Sequence, residues 1–216
     1  MEKEAFEQSS QPYRKEADPG SWTVIALEGP VCAGKTTVLR SLDNQGVQVI
    51  EEYSAYVRSA TRDFPKFPPQ DEGCAKNSFR FFLDLELARR RDRNLLTNCD
   101  CVVLDRSIYT LLAFEAGTAK LTGIDILSWA VEFLKEHSDK IILPDHIIYI
   151  DTPVDVSTKR AEDGNIRIAD FLLTAAFNEG FRHFFVALRE PRPEFVTFVD
   201  GRNTREGLFS EVRGLF

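Results

Sequence analysis

The sequence has no long apolar run: nothing in it approaches the ~20 consecutive apolar residues that a membrane-spanning helix needs. Its N-terminal stretch, MEKEAFEQSSQPYRKEADPGS, is polar and lacks the apolar core of a secretory leader. A soluble, cytoplasmic protein without membrane contact is expected. Cysteine is scarce, and Cys32, Cys74, Cys99 and Cys101 follow no zinc spacing; the last two form C-x-C, not C-x-x-C. Reduced thiols fit that pattern better than a disulfide framework. Basic charge is in deficit, with 27 Lys and Arg against 34 Asp and Glu and a net charge of −7. A nucleic-acid polymer is therefore not an expected partner, since its binders present a basic face. Methionine occurs once against 17 phenylalanines, which points to a core filled by rings.

Residues 1–21 mix charges and end in Asp18-Pro19-Gly20, so they read as a flexible polar tail before a domain spanning 22–216. From there short apolar runs alternate with helical patterns. Strands are predicted at 23–28, 47–50, 101–104, 146–150 and 195–199. Helices are predicted at 35–43, 75–96, 108–116, 124–137, after Thr152-Pro153, at 168–189 and at the C-terminus. The proline-rich 63–73 segment must be a loop. Strands of four to six residues between helices imply an α/β fold: a three-layer, doubly wound sheet of about five parallel strands.

The first strand runs into GPVCAGKT at 29–36, the G-x-x-x-x-G-K-T phosphate loop, and VLRSL continues as a helix. Strand before and helix after is the context that gives the pattern meaning. Gly29 and Gly34 let the loop wrap closely past Pro30, so that successive N–H groups of Val31, Cys32 and Ala33 converge on phosphates, aided by the positive helix end at Lys35, Thr36 and Thr37. Lys35 should reach the β- and γ-phosphates of ATP, and the Thr36 hydroxyl should ligate Mg²⁺. No guanine-reading Asn/Thr-Lys-x-Asp string is present, nor a G-x-G-x-x-G after a strand. Ligands of a parallel sheet gather at its carboxyl edge, where Glu51, Glu52, Asp105 and Asp151 fall. Asp105 can serve Mg²⁺ and Arg106 an anionic group, although a plain ion pair at a helix start would look the same. In DLELARRRDR (84–93), spacing pairs Glu86 with Arg90 and Arg89 with Arg93, a solvated face from which one arginine could turn inward.

The phosphate loop, Glu52-Tyr53, the arginine-laden helix, VVLDRS and HIIYIDTPVDVSTKR together resemble the thymidylate kinases and deoxynucleoside kinases over roughly 23–200. The resemblance implies a P-loop NTPase, nucleoside monophosphate kinase-like fold. It implies that Glu52 takes the proton of an acceptor hydroxyl, that Asp105 serves the metal, and that Arg106 serves the acceptor or the transferred phosphoryl. It also implies that Arg89, ahead of Arg90, faces the substrate, while Arg160 and Arg167 sit on a short lid around 160–168. Three departures stand out. The loop carries Val31 where thymidylate kinases usually have an acid, and Glu51-Glu52-Tyr53 replaces their Arg-Glu-Pro. Phe82 occupies the helix position where nucleoside kinases hold the base with glutamine. The lid, RAEDGNIR, is poor in arginine.

The expectation is a phosphotransferase that uses ATP and Mg²⁺ on a small-molecule acceptor, a nucleoside or nucleoside monophosphate. Phe82 keeps open a kinase of a non-nucleoside alcohol. A non-catalytic ATP-binding switch is the remaining alternative, against which Glu52, Arg106 and the lid arginines argue. His137, His146 and His183 are expected to be structural. The 64–69 loop either covers the acceptor or is a rigid connection, and the oligomeric state, a homodimer included, stays open.

Overall fold

The computed structural model describes residues 23–42, 47–57, 63–93 and 101–215. The expected N-terminal tail, Trp22, Cys99 and the far ends of two expected helices lie outside them. Thirteen elements follow in order: β1 (Thr23–Glu28), α1 (Lys35–Leu42), β2 (Val47–Ile50), α2 (Tyr53–Tyr56), α3 (Glu72–Arg93), β3 (Cys101–Asp105), α4 (Ile108–Thr122), α5 (Leu127–Lys135), β4 (His146–Asp151), α6 (Val154–Asp163), α7 (Ala175–Arg189), β5 (Val196–Asp200) and α8 (Arg205–Arg213). The strands form one sheet in the order β2-β3-β1-β4-β5, and every pairing is parallel.

A strand buried on both faces alternates its side chains between two cores. Val24, Ala26, Val102, Leu104, Ile147 and Tyr149 point into the larger core, under α3, α4 and α7. Ile25, Leu27, Val103, Ile148 and Ile150 point into the smaller one, which α1 and α8 close. The result is the expected three-layer α/β arrangement. Because β1 lies between β3 and β4, the chain reverses its winding direction there, and the carboxyl ends of β1 and β3 open on the crevice where such sheets bind ligands.

Three helical expectations change. The stretch expected as one helix over 168–189 is broken: Thr174 is extended, with ψ 146°, and its hydroxyl caps α7 by accepting from the Phe177 N–H at 3.3 Å. The helix expected to stop at 116 runs on to Thr122, where Gly123 ends it at φ 78°. The long helix starts at Glu72, not 75, because the Asp71 carboxylate accepts the Cys74 N–H at 2.7 Å.

Candidate active site

The phosphate loop takes the geometry that its glycines allow. Gly29 has φ 141°, and a Cβ there would stand 2.7 Å from the Ile150 carbonyl oxygen. Cys32 also has positive φ, 55°. The Lys35 ammonium donates to the carbonyls of Gly29 at 3.1 Å and Pro30 at 2.8 Å, curled onto its own loop. Burial, with the Arg106 charge beside it, pulls Lys35 down to about 7. Asp105, Glu52 and Glu28 oppose that shift. An incoming phosphate would supply the negative charge that the ammonium lacks. Thr36, by contrast, is exposed at the start of α1.

Residues 105–107 are fastened from both sides. Arg106 adopts φ 67°, a left-handed conformation rare for a residue with a long side chain. Its N–H donates to the Leu27 carbonyl at 3.1 Å. Its guanidinium reaches Glu52 Oε2 at 3.3 Å and the Gly29 carbonyl at 3.1 Å, tying the loop to the acidic turn after β2. Burial works to raise the Glu52 carboxyl, but Arg106, the Ser54 hydroxyl and Lys35 outweigh it, so Glu52 stays below its ordinary value. Ser107 and Thr110 grip Glu28, a residue that sequence reasoning missed. The fully buried Glu28 carboxylate accepts the Ser107 N–H and hydroxyl, both at 2.7 Å, and the Thr110 hydroxyl. Its one sequence signal was an acid closing a buried strand just before the loop glycine.

Asp105 is 6% exposed, its Oδ1 has no hydrogen-bond partner, and burial raises its pKa above the ordinary value against the pull of Lys35 and Arg106. A buried, unpartnered carboxylate oxygen suits a hard cation that keeps water in its shell and takes phosphate oxygens. No cluster of three or more His, Cys, Asp or Glu with metal-holding geometry occurs among the described residues. Thr36 and Asp105 thus fit Mg²⁺ in the manner of a nucleotide-borne ion.

Arg89 differs from the expectation. It is fully buried and does not face the cavity described below. Its guanidinium donates to the backbone carbonyls of Glu51 at 3.0 Å, Asp105 at 3.2 Å and Arg106 at 2.7 Å, and to the Glu86 carboxylate at 2.9 Å. Glu86 therefore pairs at i,i+3 with Arg89, not at i,i+4 with Arg90, and it also accepts the Ile142 N–H. Arg90 donates to the Asp139 carbonyl. Arg89 is the pin beneath the turns that follow β2 and β3, and Tyr53 packs its ring on the guanidinium, 4.5 Å from centroid to carbon.

From Pro30, Val31, Glu52 and Arg106 a cavity of about 230 Å³ runs inward. Its wall is built of rings, Phe64, Phe67, Phe79, Phe82, Phe114 and Phe177 among them. Phe67 meets Phe114 at 5.2 Å and Phe82 at 6.0 Å, so the proline-rich 64–69 loop forms one side of the cavity. Phe82 is part of this wall, as its place on α3 suggested.

The lid arginines separate. Arg160, on α6, donates to the carbonyls of Ala33 at 3.2 Å and Gly201 at 2.8 Å, which braces the phosphate loop against the turn after β5. It is anchored, not swinging. Arg167 is exposed and makes no hydrogen bond or ion pair with any described residue. Asp151, at the end of β4, is taken up by Arg182 of α7 in a two-pronged ion pair of 2.8 and 2.7 Å. Two of the three histidines fill structural roles: His137 contacts the Phe133 carbonyl at 2.8 Å and His146 that of Glu194 at 2.9 Å. Among the described residues no helix is long and apolar enough to cross a membrane.

Comparison with known proteins agrees with this geometry. The family described as an AAA domain matches residues 24–186. A thymidylate kinase from Leuconostoc mesenteroides is 24% identical over 202 residues, 88% of this chain and 92% of that one. A thymidylate kinase from Clostridium novyi is 25% identical over 204 residues, covering 88% and 96%. Among solved structures, a deoxyadenosine kinase from M. mycoides superposes with a TM-score of 0.63 at 13% identity, covering 89% of this chain and 98% of that one. With a parallel sheet, a complete phosphate loop and a ringed cavity at its mouth, the chain belongs to the AAA domain family and is a P-loop phosphotransferase of the thymidylate and deoxynucleoside kinase type.

Proposed function

We propose that this protein is a kinase, acting in the cytoplasm, that uses ATP and Mg²⁺ to phosphorylate a nucleoside or nucleoside monophosphate. The observation that carries the reading is the single cavity that starts at Pro30 and Val31, passes Glu52 and Arg106, and ends among rings. It joins a triphosphate cradle to a flat, apolar chamber suited to a base. The fold neighbour from M. mycoides has also been solved with bound dATP and with bound dCTP.

On this reading the acceptor oxygen attacks the γ-phosphorus in line, the bond to the β,γ-bridging oxygen breaks, and ADP leaves. Glu52, held ionised by Arg106, takes the proton of an acceptor hydroxyl. Lys35 and Arg106 neutralise charge as it moves across the phosphoryl oxygens. Thr36 and Asp105 would hold Mg²⁺, which supplies further charge neutralisation when bound. Arg167, in the exposed segment that follows α6, is the lid residue able to reach the triphosphate on closure. Arg89 and Arg160 act as positioning residues, through the turns that they fasten. Phe82, a ring in place of an amide, favours a second reading, phosphorylation of an apolar alcohol.

The test is an acceptor screen with labelled ATP across nucleosides, monophosphates and other alcohols, repeated with Glu52→Gln. Wild-type turnover of a nucleoside or its monophosphate is expected. The variant should lose about 10²–10⁴-fold on a hydroxyl acceptor and far less on a phosphate, which has no proton to lose. Turnover of simple alcohols alone would replace the first reading by the second.

A further inference from the structure

The ring-lined cavity contains a carboxyl group that the reaction above does not use. Glu115, on α4, is 4% exposed, lines the cavity, and makes no hydrogen bond with any described residue. Leu111, Phe114 and Glu115 lie three and four residues apart, so they share the helix face that forms this wall. From Ile108 at the start of α4, the rise to Glu115 is about 10 Å along the helix. That places it deep in the chamber, a sugar's length beyond the mouth at Glu52 and Arg106. An isolated acid in a wall of phenylalanines is costly unless a ligand meets it.

Burial, with the Asp125 charge adding to it, lifts Glu115 to about 8, so at neutral pH it keeps its proton. Other charges on the elements packed around it are engaged elsewhere. Glu179 of α7 pairs with Lys120 and Arg182 with Asp151, while Arg80 of α3 lies over Trp129. At the mouth Arg106 and Glu52 hold each other, and the buried Tyr53 hydroxyl keeps its proton too. A neutral carboxyl has one O–H to donate and one carbonyl oxygen to accept, the same pair that a side-chain amide offers. Its neighbours in the wall also present both kinds of group. The Asn178 amide spends both protons on the Leu172 and Thr174 carbonyls and keeps its Oδ1 free to accept. The Tyr53 hydroxyl lies beside the Glu86 carboxylate without a hydrogen bond to it, and has a proton to give.

We infer that Glu115 grips the acceptor by a ring edge that pairs a hydrogen-bond donor with an acceptor, supplying from α4 the amide-like contact that Phe82 removes from α3. An N–H beside a carbonyl meets this condition, and so does an amino group beside a ring nitrogen, so either kind of base is admitted. What the contact excludes is an acceptor whose ring lacks such an edge, since it would leave the O–H and carbonyl of Glu115 buried and unpaired. The contact also has an upper pH limit. Ionised Glu115 can only accept, and its charge would sit among rings. The neutral form prevails below the folded value of about 8. Above it, acceptor affinity falls by about tenfold per unit as the required proton is lost.

The inference rests on the nucleoside kinase reading, and one experiment separates their failures. With Mg·ATP, kcat and KM are measured for cytidine, uridine, adenosine and guanosine in ribo, deoxyribo and monophosphate forms. Each is set against a C-riboside of benzene or indole, which keeps the ring size and loses the polar edge. Wild type, Glu115→Gln and Glu115→Leu are compared between about pH 6 and 10. At neutral pH the preferred natural base should lead its apolar counterpart by about 10²-fold or more in the wild type. Glu115→Leu should erase most of that lead through the acceptor KM, with the KM for ATP unchanged. Glu115→Gln, which keeps a donor and an acceptor but cannot ionise, should retain much of the lead. It should also lose the rise in acceptor KM that the wild type shows above about 8. Comparing these two proteins at each pH cancels the titration of Lys35 and of the bases themselves. A lead that survives Glu115→Leu, or the same pH course of acceptor KM in wild type and Glu115→Gln, overturns the role of Glu115 and leaves the kinase reading intact. Equal turnover of natural and apolar ribosides by the wild type does the same. Intact ATP binding with no nucleoside or nucleotide turned over overturns both.

Discussion

On the donor side of the site the groups that meet the ligand belong largely to the backbone of one short segment, 29–36, held open by Gly29, Cys32 and Gly34 at positive φ. On the acceptor side the cavity is lined by residues drawn from α2, α3, α4, α7 and the 64–69 loop. The donor half depends on local conformation, so a few residues determine it. The acceptor half depends on how distant elements pack, so a change in one ring alters the chamber while the chemistry at its mouth persists. Glu52 and Arg106 stand at the seam, and Arg89 fixes both of their turns from beneath.

The largest effect should come from removing the donor half's one essential side chain. Lys35→Ala should lower kcat for phosphoryl transfer on the order of 10³-fold, with the melting temperature kept near wild type because a buried, partly neutralised ammonium is lost. Full activity in steady-state kinetics would mean that the loop amides alone suffice. Next comes the pin. Arg89→Met leaves the Glu86 carboxylate buried without its partner and frees three backbone carbonyls. Denaturant unfolding should then show a loss of about 3–5 kcal/mol. If Arg89 instead touched substrate, as its place in the helix suggested, KM would change and stability would not.

The same contrast explains what could be read in advance. The loop, the five strands and the Asp105-Arg106-Ser107 turn announce themselves through neighbours in the chain: an apolar run, a glycine, a charged residue at the strand tip. Arg89 and Arg90 sit side by side, and nothing local tells which turns under the sheet; that choice is made by carbonyls at 51, 105 and 106. Glu115 has the look of an ordinary solvated helix acid, and only the packing of α4 against α7 encloses it. Arg160 read as a lid arginine and not as an anchor of the phosphate loop, since the carbonyls that hold it, at 33 and 201, come from distant segments. Thr174 interrupts a smooth helical periodicity because its hydroxyl finds the Phe177 N–H, a competition that an apolar pattern does not register.

Glu115 also lets the acceptor half be probed by pH without any substrate. Its pKa in the folded chain, about 8, lies above the ordinary 4.5 because burial, and after it the charge of Asp125, favours the neutral form. Between those values the folded chain keeps a proton that the unfolded chain releases, so the wild type loses stability as pH rises through that window. Glu115→Leu has no such proton. Its stability relative to wild type should therefore climb by about 2–3 kcal/mol between pH 6 and 8, at roughly 1.4 kcal/mol per unit, and level off above that. Parallel stability curves for the two proteins would mean that the carboxyl is solvated in the free enzyme.

The smallest effect tests whether the proline-rich loop belongs to the acceptor chamber or merely connects two helices. Phe67 is half-buried and meets Phe114 at 5.2 Å, Phe82 at 6.0 Å and, stacked at 22°, Phe171 at 6.2 Å. Each such ring pair contributes about 0.5–1.5 kcal/mol beyond its buried area. Removing one ring from the loop side of the chamber should therefore weaken acceptor binding more than it weakens the fold. In Phe67→Ala the acceptor KM should rise about tenfold, with the KM for ATP unchanged, because the ring contacts of Phe67 run to α3, α4 and Phe171 and not to the donor cradle of 29–36. Equal rises in both constants would mean that the loop holds the two halves together; no rise in either would make it a rigid connection only. Acceptor and donor KM values measured side by side distinguish all three results, and only the first keeps the two halves of the site as separate as their construction implies.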